Sequence, residues 1–374
     1  MICDNAPRLR LAWMMQAVAG LLLVSCTGRP PDWLGTIRLE GSGSEQPAKV
    51  IEIPFAQVAG YLDEETDFRI VEPESGQEVP YQLEYRGQEE PVNLLVQVDL
   101  PAARAVKLHV LEGRAEPVAS RTFARYVPER MDDFAWENDK IAFRIYGKAL
   151  EGTPGDAHGV DVWVKRTKDL VIDRWYESGD YHRDHGEGLD YYSVGMTLGA
   201  GDIVPYINDS LWFPKHYREY EILDNGPLRT TFRLDYEEWN AGGIPLRVSK
   251  LISLDAGSQL NRVEVRFDSP DPVSFPAAIG IVQRSDPGTH LMDREAGVMA
   301  YWEPPHGQDG TTGIGVIVEA PVEDIRLAQG HLLAVVELST GEPLVYYAGA
   351  AWDKAGEFTG AAAWFDYLLN KSRQ

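Results

Sequence analysis

Short runs in which apolar and polar residues alternate dominate the chain. In Asn261-Arg262-Val263-Glu264-Val265-Arg266-Phe267 the apolar residues fall on one face and the charged ones on the other. That period of two predicts a half-buried antiparallel strand. Runs at 49–55, 68–72, 92–100, 106–111, 140–146, 230–236, 246–254, 276–284, 313–319 and 332–338 are β-branched or alternating, with Gly, Pro, Asp and Glu between them. Helical spacing is confined to 168–177 and 361–369. Many strands with regular turns predict an all-β protein of β-sandwich domains. The pattern breaks at Pro128 and divides an N-terminal β-sandwich over 49–127 from a larger β-sandwich over 128–374, while 26–48 is expected to be a linker.

The N-terminus reads differently. Arg8 and Arg10 precede an apolar run over 11–24, and Leu23-Val24-Ser25-Cys26 has the form of a bacterial lipobox. The run is too short and wrongly flanked for a spanning helix. Residues 1–25 are therefore expected to be a lipoprotein signal peptide and Cys26 the lipidated residue. That places the protein in the bacterial cell envelope, held to the membrane by a lipid anchor only. The other cysteine, Cys3, lies in the leader, so no disulfide is expected although the compartment permits one. The formal net charge of −23 argues against nucleic acid as a partner, because phosphate recognition needs a basic face. An anionic small ligand would need a local basic cluster.

One stretch has no apolar period at all. Tyr181-His182-Arg183-Asp184-His185-Gly186-Glu187-Gly188-Leu189-Asp190-Tyr191-Tyr192 gathers two of the eight histidines, several acids, an arginine and three tyrosines. Burial of one face does not explain such a run, and its glycines let the backbone bend, so it reads as a working loop. Upstream, alternation puts Arg144 and Tyr146 on one face of 140–146, and Asp161, Trp163 and Lys165 on one face of the next strand. An acid, a flat aromatic and a cation on alternate residues suit sugar recognition. A sheet face with a cross-strand ion pair is the plainer reading. Lys215-His216-Tyr217-Arg218 is a second basic and aromatic cluster, or a solvated turn after Pro214. His182, His185 and Glu187 have only weak metal-ligand spacing, so no metal site is expected and a divalent ion has slight support. The acids single out no glycosidase pair, and no nucleophilic-serine, phosphate-loop or dinucleotide motif is present.

Several segments resemble an uncharacterised-domain family of bacterial polysaccharide-utilisation loci. They are Trp136-Glu137-Asn138-Asp139, Gly159-Val160-Asp161-Val162-Trp163-Val164-Lys165-Arg166, Tyr181-His182 with Gly186-Glu187-Gly188-Leu189-Asp190-Tyr191-Tyr192, Asn225-Gly226-Pro227-Leu228-Arg229-Thr230, Leu254-Asp255-Ala256-Gly257-Ser258-Gln259-Leu260-Asn261 and Gly349-Ala350-Ala351-Trp352-Asp353-Lys354. Residues 246–267 also resemble the galactose-mutarotase-like supersandwich of several polysaccharide lyases. The resemblance implies an oligosaccharide dehydratase that removes water from a non-reducing-end uronic acid of a glycan such as ulvan, leaving a 4,5-unsaturated sugar. Such a β-elimination needs a neutralised carboxylate, a base for the C5 proton and an acid for the departing C4 oxygen. On this reading His182 with Tyr191 or Tyr192 moves protons, and Arg144, Lys165 or Arg183 binds the carboxylate. Trp163, Asp161 and His216 complete the substrate contacts. Arg144, Lys165, His182 and Arg183 should then face one cavity. Alternatives are a polysaccharide lyase or glycoside hydrolase on uronic-acid glycans, or a lipid-anchored glycan-binding protein with Trp163, Trp175 and Trp212 as platforms.

Overall fold

The alternating runs form strands, and the residues between them decide how the strands stack. The structure, a computed structural model, describes residues 32–41, 43–62 and 67–373. The leader and Cys26 lie outside them. Among the described residues the protein is an all-β sandwich with four sheets: two of three strands near the N-terminus, then one of ten and one of nine.

In the N-terminal part, Trp33–Leu39, Val106–Glu112 and Phe68–Val71 make one sheet, and Gln46–Pro54, Asn93–Leu100 and Tyr81–Glu84 the other. Ile37, Leu94, Val96, Leu108 and Val110 fill the space between them. Two boundaries differ from those expected. Trp33–Leu39 is a strand rather than linker: Ile37 and Leu39 alternate inward, and the strand pairs with Val106–Glu112. Thr122–Val127 pairs with Asp133–Asn138 in the ten-stranded sheet, so the change of sheet comes before it and not at Pro128. The two parts are joined through polar groups. Gln82 Nε2 donates to the Arg229 carbonyl at 3.0 Å, and the Asp224 carboxylate accepts the amides of Tyr85 and Arg86 at 2.8 and 2.9 Å.

The two large sheets pack face to face. Phe143, Val162 and Ile279 of one meet Phe232, Val263, Val265 and Ile314 of the other. The strand expected over 261–267 is Leu260–Asp268, with Val263, Val265 and Phe267 buried. Helix α1 (Ile172–Ser178) covers the outer face of the ten-stranded sheet through Ile172 and Trp175, which join Trp163 in one cluster. Helix α2 (Ala361–Lys371) covers the nine-stranded sheet through Trp364 and Leu368. Neither is long or apolar enough to cross a membrane, nor is any other helix among the described residues.

One pairing positions the site. His158–Lys165 and Met196–Ile207 run parallel, whereas the other strand pairs among the described residues run antiparallel. Parallel neighbours cannot be joined by a tight turn and need a long crossover. The connection carries α1 and the whole polar stretch 181–192 across the sheet. Gly188 makes the return possible. Its φ is +133°, and a Cβ there would lie 2.0 Å from the Val164 carbonyl oxygen.

Candidate functional site

The crossover sorts the expected site residues into two groups. The first sits beneath it, on the outer face of the ten-stranded sheet. Asp161, Trp163 and Lys165 do share a face, as alternation requires, but α1 closes over them and all three are buried. The expectation of an open cleft lined by these residues is therefore corrected. Lys165 Nζ donates to Glu137 Oε2, the Asn138 carbonyl and the Asp169 carbonyl, each at 2.7 Å. Three acceptors satisfy an ammonium, so no donor is left for a substrate carboxylate. Glu137 in turn accepts the amides of Val171 and Ile172, where α1 begins. Trp163 is enclosed by Trp175, Tyr176 and Tyr181. Trp175 is buried with it, and Trp212 is half-buried with its indole N–H spent on the Ile207 carbonyl.

Arg144 is also buried, and its charge is taken. It pairs with Asp161, with Asp190 at 3.0 Å and with Asp133 at 3.8 Å, under the rings of Tyr146 and Trp163. One guanidinium thus faces three carboxylates. Burial raises the pKa of all three, Asp133 to about 6. A carboxyl whose folded pKa is raised favours the folded state below its unfolded value and loses that contribution as pH climbs through the folded one. The Asp133 contribution accordingly fades between about pH 4 and pH 6, by up to about 3 kcal/mol for a shift of this size. Asp133→Asn should raise Tm at pH 7 while changing it little at pH 4, which thermal melts across that range will check.

His182 and Arg183 are exposed whereas Arg144 and Lys165 are buried, so the four do not face one cavity, contrary to expectation. His182 is 65% exposed; its Nδ1 donates to the Asp190 carbonyl at 2.9 Å, which leaves Nε2 as a lone-pair acceptor. Arg183 is exposed. His182 bonds the Asp190 carbonyl, His185 pairs with Asp180 and Glu187 with Arg174, so the three expected weak metal ligands point to separate partners. His216 is buried at the opposite end of the strand His158–Lys165, with Nε2 at 2.9 Å from the Ala157 carbonyl, and is not on a solvated turn.

The second group forms at the end of the sandwich where the crossover meets the nine-stranded sheet. Tyr191 shares a hydrogen bond of 2.5 Å with Thr312 Oγ1 and stacks on His306 at 5.0 Å between centroids. His306 Nδ1 lies 3.3 Å from Asp309 Oδ2, so the carboxylate holds one edge of the ring. The Tyr192 ring lies under the Arg284 guanidinium at 4.5 Å. Arg284 donates to the Ser193 carbonyl and to Glu303 Oε1, both at 2.6 Å. Glu303 is buried at the end of strand Val298–Trp302 and its amide donates to the Thr312 carbonyl. Burial outweighs the arginine and pushes its carboxyl up to about 7. Burial likewise lifts the hydroxyls of Tyr191 and Tyr192 above the usual phenol range, so they stay protonated and are poor bases. Arg166 lies over the Trp352 ring at 4.7 Å and closes the rim.

Tyr191 and Tyr192 were legible as site candidates; Arg284, Glu303, His306 and Asp309 were not. The segment Tyr301-Trp302-Glu303-Pro304-Pro305-His306 did carry a signal, an acid and a histidine on either side of a Pro-Pro turn that ends a strand. A groove of about 890 Å³, lined in part by Lys49, Asp255, Arg262, Tyr347 and Lys371, lies at the other end of the same strands. There Val298 pairs with Ile317, whereas Trp302 pairs with Gly313 at the rim. Arg229 in that groove is consumed by Glu52, Glu84 and Asp255, so volume alone does not make it the chemical centre.

Residues 42–374 match the family described as "Domain of unknown function (DUF4861)". The chain belongs to this family. It is also 32% identical over 272 residues to "Uncharacterized protein P7" of Formosa agariphila, a match covering 67% of each chain. Among solved structures it is similar to a protein in the Glycosyl Hydrolase Family 38 from Enterococcus faecalis, with a TM-score of 0.50 and 10% identity. That likeness covers 91% of this chain but 47% of the other, so this DUF4861 member spans about half the length of that structure. It shows a shared fold.

Proposed function

We propose that this DUF4861 protein is a carbohydrate-active enzyme that dehydrates a terminal uronic acid by β-elimination at the Tyr191–Arg284–Glu303–His306 rim. The observation that carries the reading is an acid and a base set up for opposite roles within one cluster. Glu303 holds its proton near neutrality, whereas a neutral His306, held along one edge by Asp309, offers a lone pair. Arg284 supplies the positive charge that the substrate carboxylate needs in an otherwise acidic protein. The fold shared with a glycosyl hydrolase family member supports a sugar substrate.

In this mechanism the carboxylate pairs with Arg284 and displaces Glu303 from its ion pair, which favours the protonated acid further. His306 Nε2 removes the C5 proton. The electron pair forms the C4–C5 double bond, the C4–O bond breaks, and the hydroxyl leaves as water with the proton of Glu303. Solvent resets both groups. Tyr191, which stays protonated, offers a further hydroxyl at the rim. An envelope location through residues 1–25 and Cys26 would suit a glycan arriving from outside. The test is incubation with uronate-terminated and with neutral oligosaccharides, read by ultraviolet absorbance of the unsaturated product. Absorbance should rise with the uronate set alone and be lost in His306→Ala; no rise with any uronate substrate sinks the proposal.

A further inference from the structure

Far from the rim, three residues that no step above uses converge at the other end of the strand His158–Lys165. Asp156, His158 and His216 each present a ligand atom, and these atoms lie within 4.8 Å of one another. His216 Nε2 is 3.3 Å from Asp156 Oδ1 and 2.9 Å from the Ala157 carbonyl oxygen. Ligand atoms around a tetrahedral zinc, bonded at about 2.0–2.2 Å, stand roughly 3.3 Å apart. We infer that Asp156, His158 and His216 form a structural site for a divalent transition metal, zinc by its donor set.

Two independent observations point to an occupant. Asp156 Oδ1 is a buried atom with no hydrogen-bond partner among the described residues. An orphaned polar atom of this kind calls for an unseen ion or water. Beside the two histidines, though not bordered by Asp156, is a void of about 10 Å³ lined by Ala157, His158, Phe213 and His216. The surroundings also supply the outer layer that metal histidines require. Glu151 Oε1 lies 3.6 Å from His216 Nδ1, accepts the His216 amide at 3.2 Å, and is fixed by Arg218 at 2.6 Å. With Nε2 on the metal, Nδ1 carries the proton and turns it toward Glu151, the carboxylate–histidine–metal arrangement that sets the tautomer. Two imidazoles and one carboxylate favour zinc over calcium or magnesium, and the Ala157 carbonyl or a water completes the set. The metal would pin the turn after Lys148–Leu150 to the segment before Glu219–Asn225, adding to the Glu151–Arg218 pair that already joins them. The strand between places it roughly 20 Å from the rim, so its role is structural.

The experiment uses the whole protein, purified without chelator from medium supplied with zinc, with metal content measured by plasma mass spectrometry. One zinc per chain is expected. Dialysis against chelator should lower Tm by several degrees, and adding zinc chloride should restore it. Asp156→Asn removes one ligand at a half-buried position and should weaken zinc binding at least tenfold. His216→Ala should abolish binding. If His216→Ala does not fold, Asp156→Asn still decides the matter. Chain free of zinc that also fails to take up added zinc overturns the inference, as does Asp156→Asn binding zinc like wild type.

Discussion

Glu303→Gln should lower turnover on uronate-terminated oligosaccharides by about 10²- to 10⁴-fold, the range for loss of a general acid. Gln keeps the size of the side chain and its acceptor toward Arg284, so the fold should survive. What it removes is the proton that departs with the leaving hydroxyl. The pH dependence gives the sharper readout. Because the acid must be protonated, wild-type activity should fall as pH rises above about 7, following the raised carboxyl of Glu303. The residual activity of Glu303→Gln should lack that alkaline limb. A variant with a normal rate, or with the limb intact, would assign the acid role elsewhere. Arg284→Lys separates binding from proton transfer. It keeps the charge but loses the two-pronged geometry held by Ser193 and Glu303, so KM should rise more than kcat falls.

Arg144→Met should destabilise the fold by about 3–5 kcal/mol without acting directly on the chemistry. Methionine fills much of the arginine's volume, but it leaves Asp161 and Asp190 buried without their guanidinium and Asp133 with only Arg130, 3.9 Å away. Uncompensated buried carboxylates must take up protons or pull in water, and either route costs stability. The loss should therefore shrink at low pH, where protons replace the missing charge. Chemical denaturation at pH 5 and pH 8 checks this. A loss that is equal at both values would mean that packing of the guanidinium against Trp163 and Tyr146, and not its charge, holds the layer together.

Both variants concern residues the sequence treated unevenly, and the reason is physical. Alternation reports which side chains share a face, so the strand Leu260–Asp268 and the common face of Asp161, Trp163 and Lys165 were legible. It does not report what covers that face. The cover here is α1 and the crossover, placed by a parallel pairing that no local pattern announces. Residues that seemed to be an open sugar platform therefore became a buried ionic layer. The unusual composition of 181–192 set that stretch apart, and the crossover brings Tyr191 and Tyr192 to the rim. Its partners Arg284, Glu303 and His306 come from segments just past strand ends about a hundred residues further on, and such distance in sequence hides a site assembled by sheet packing. Trp33–Leu39 was missed for a simpler reason. With Pro and Gly on either side and few buried positions, it looks like linker until Val106–Glu112 pairs with it.

The claim at the centre of this account is elimination of water at the rim, and the mass of the product tests it most directly. After incubation with a uronate-terminated oligosaccharide of defined length, the product should weigh one water less than the substrate, keep the same number of sugars and absorb in the ultraviolet. Two shorter fragments that together account for the substrate, with or without the chromophore, would instead show chain cleavage and contradict the dehydration mechanism.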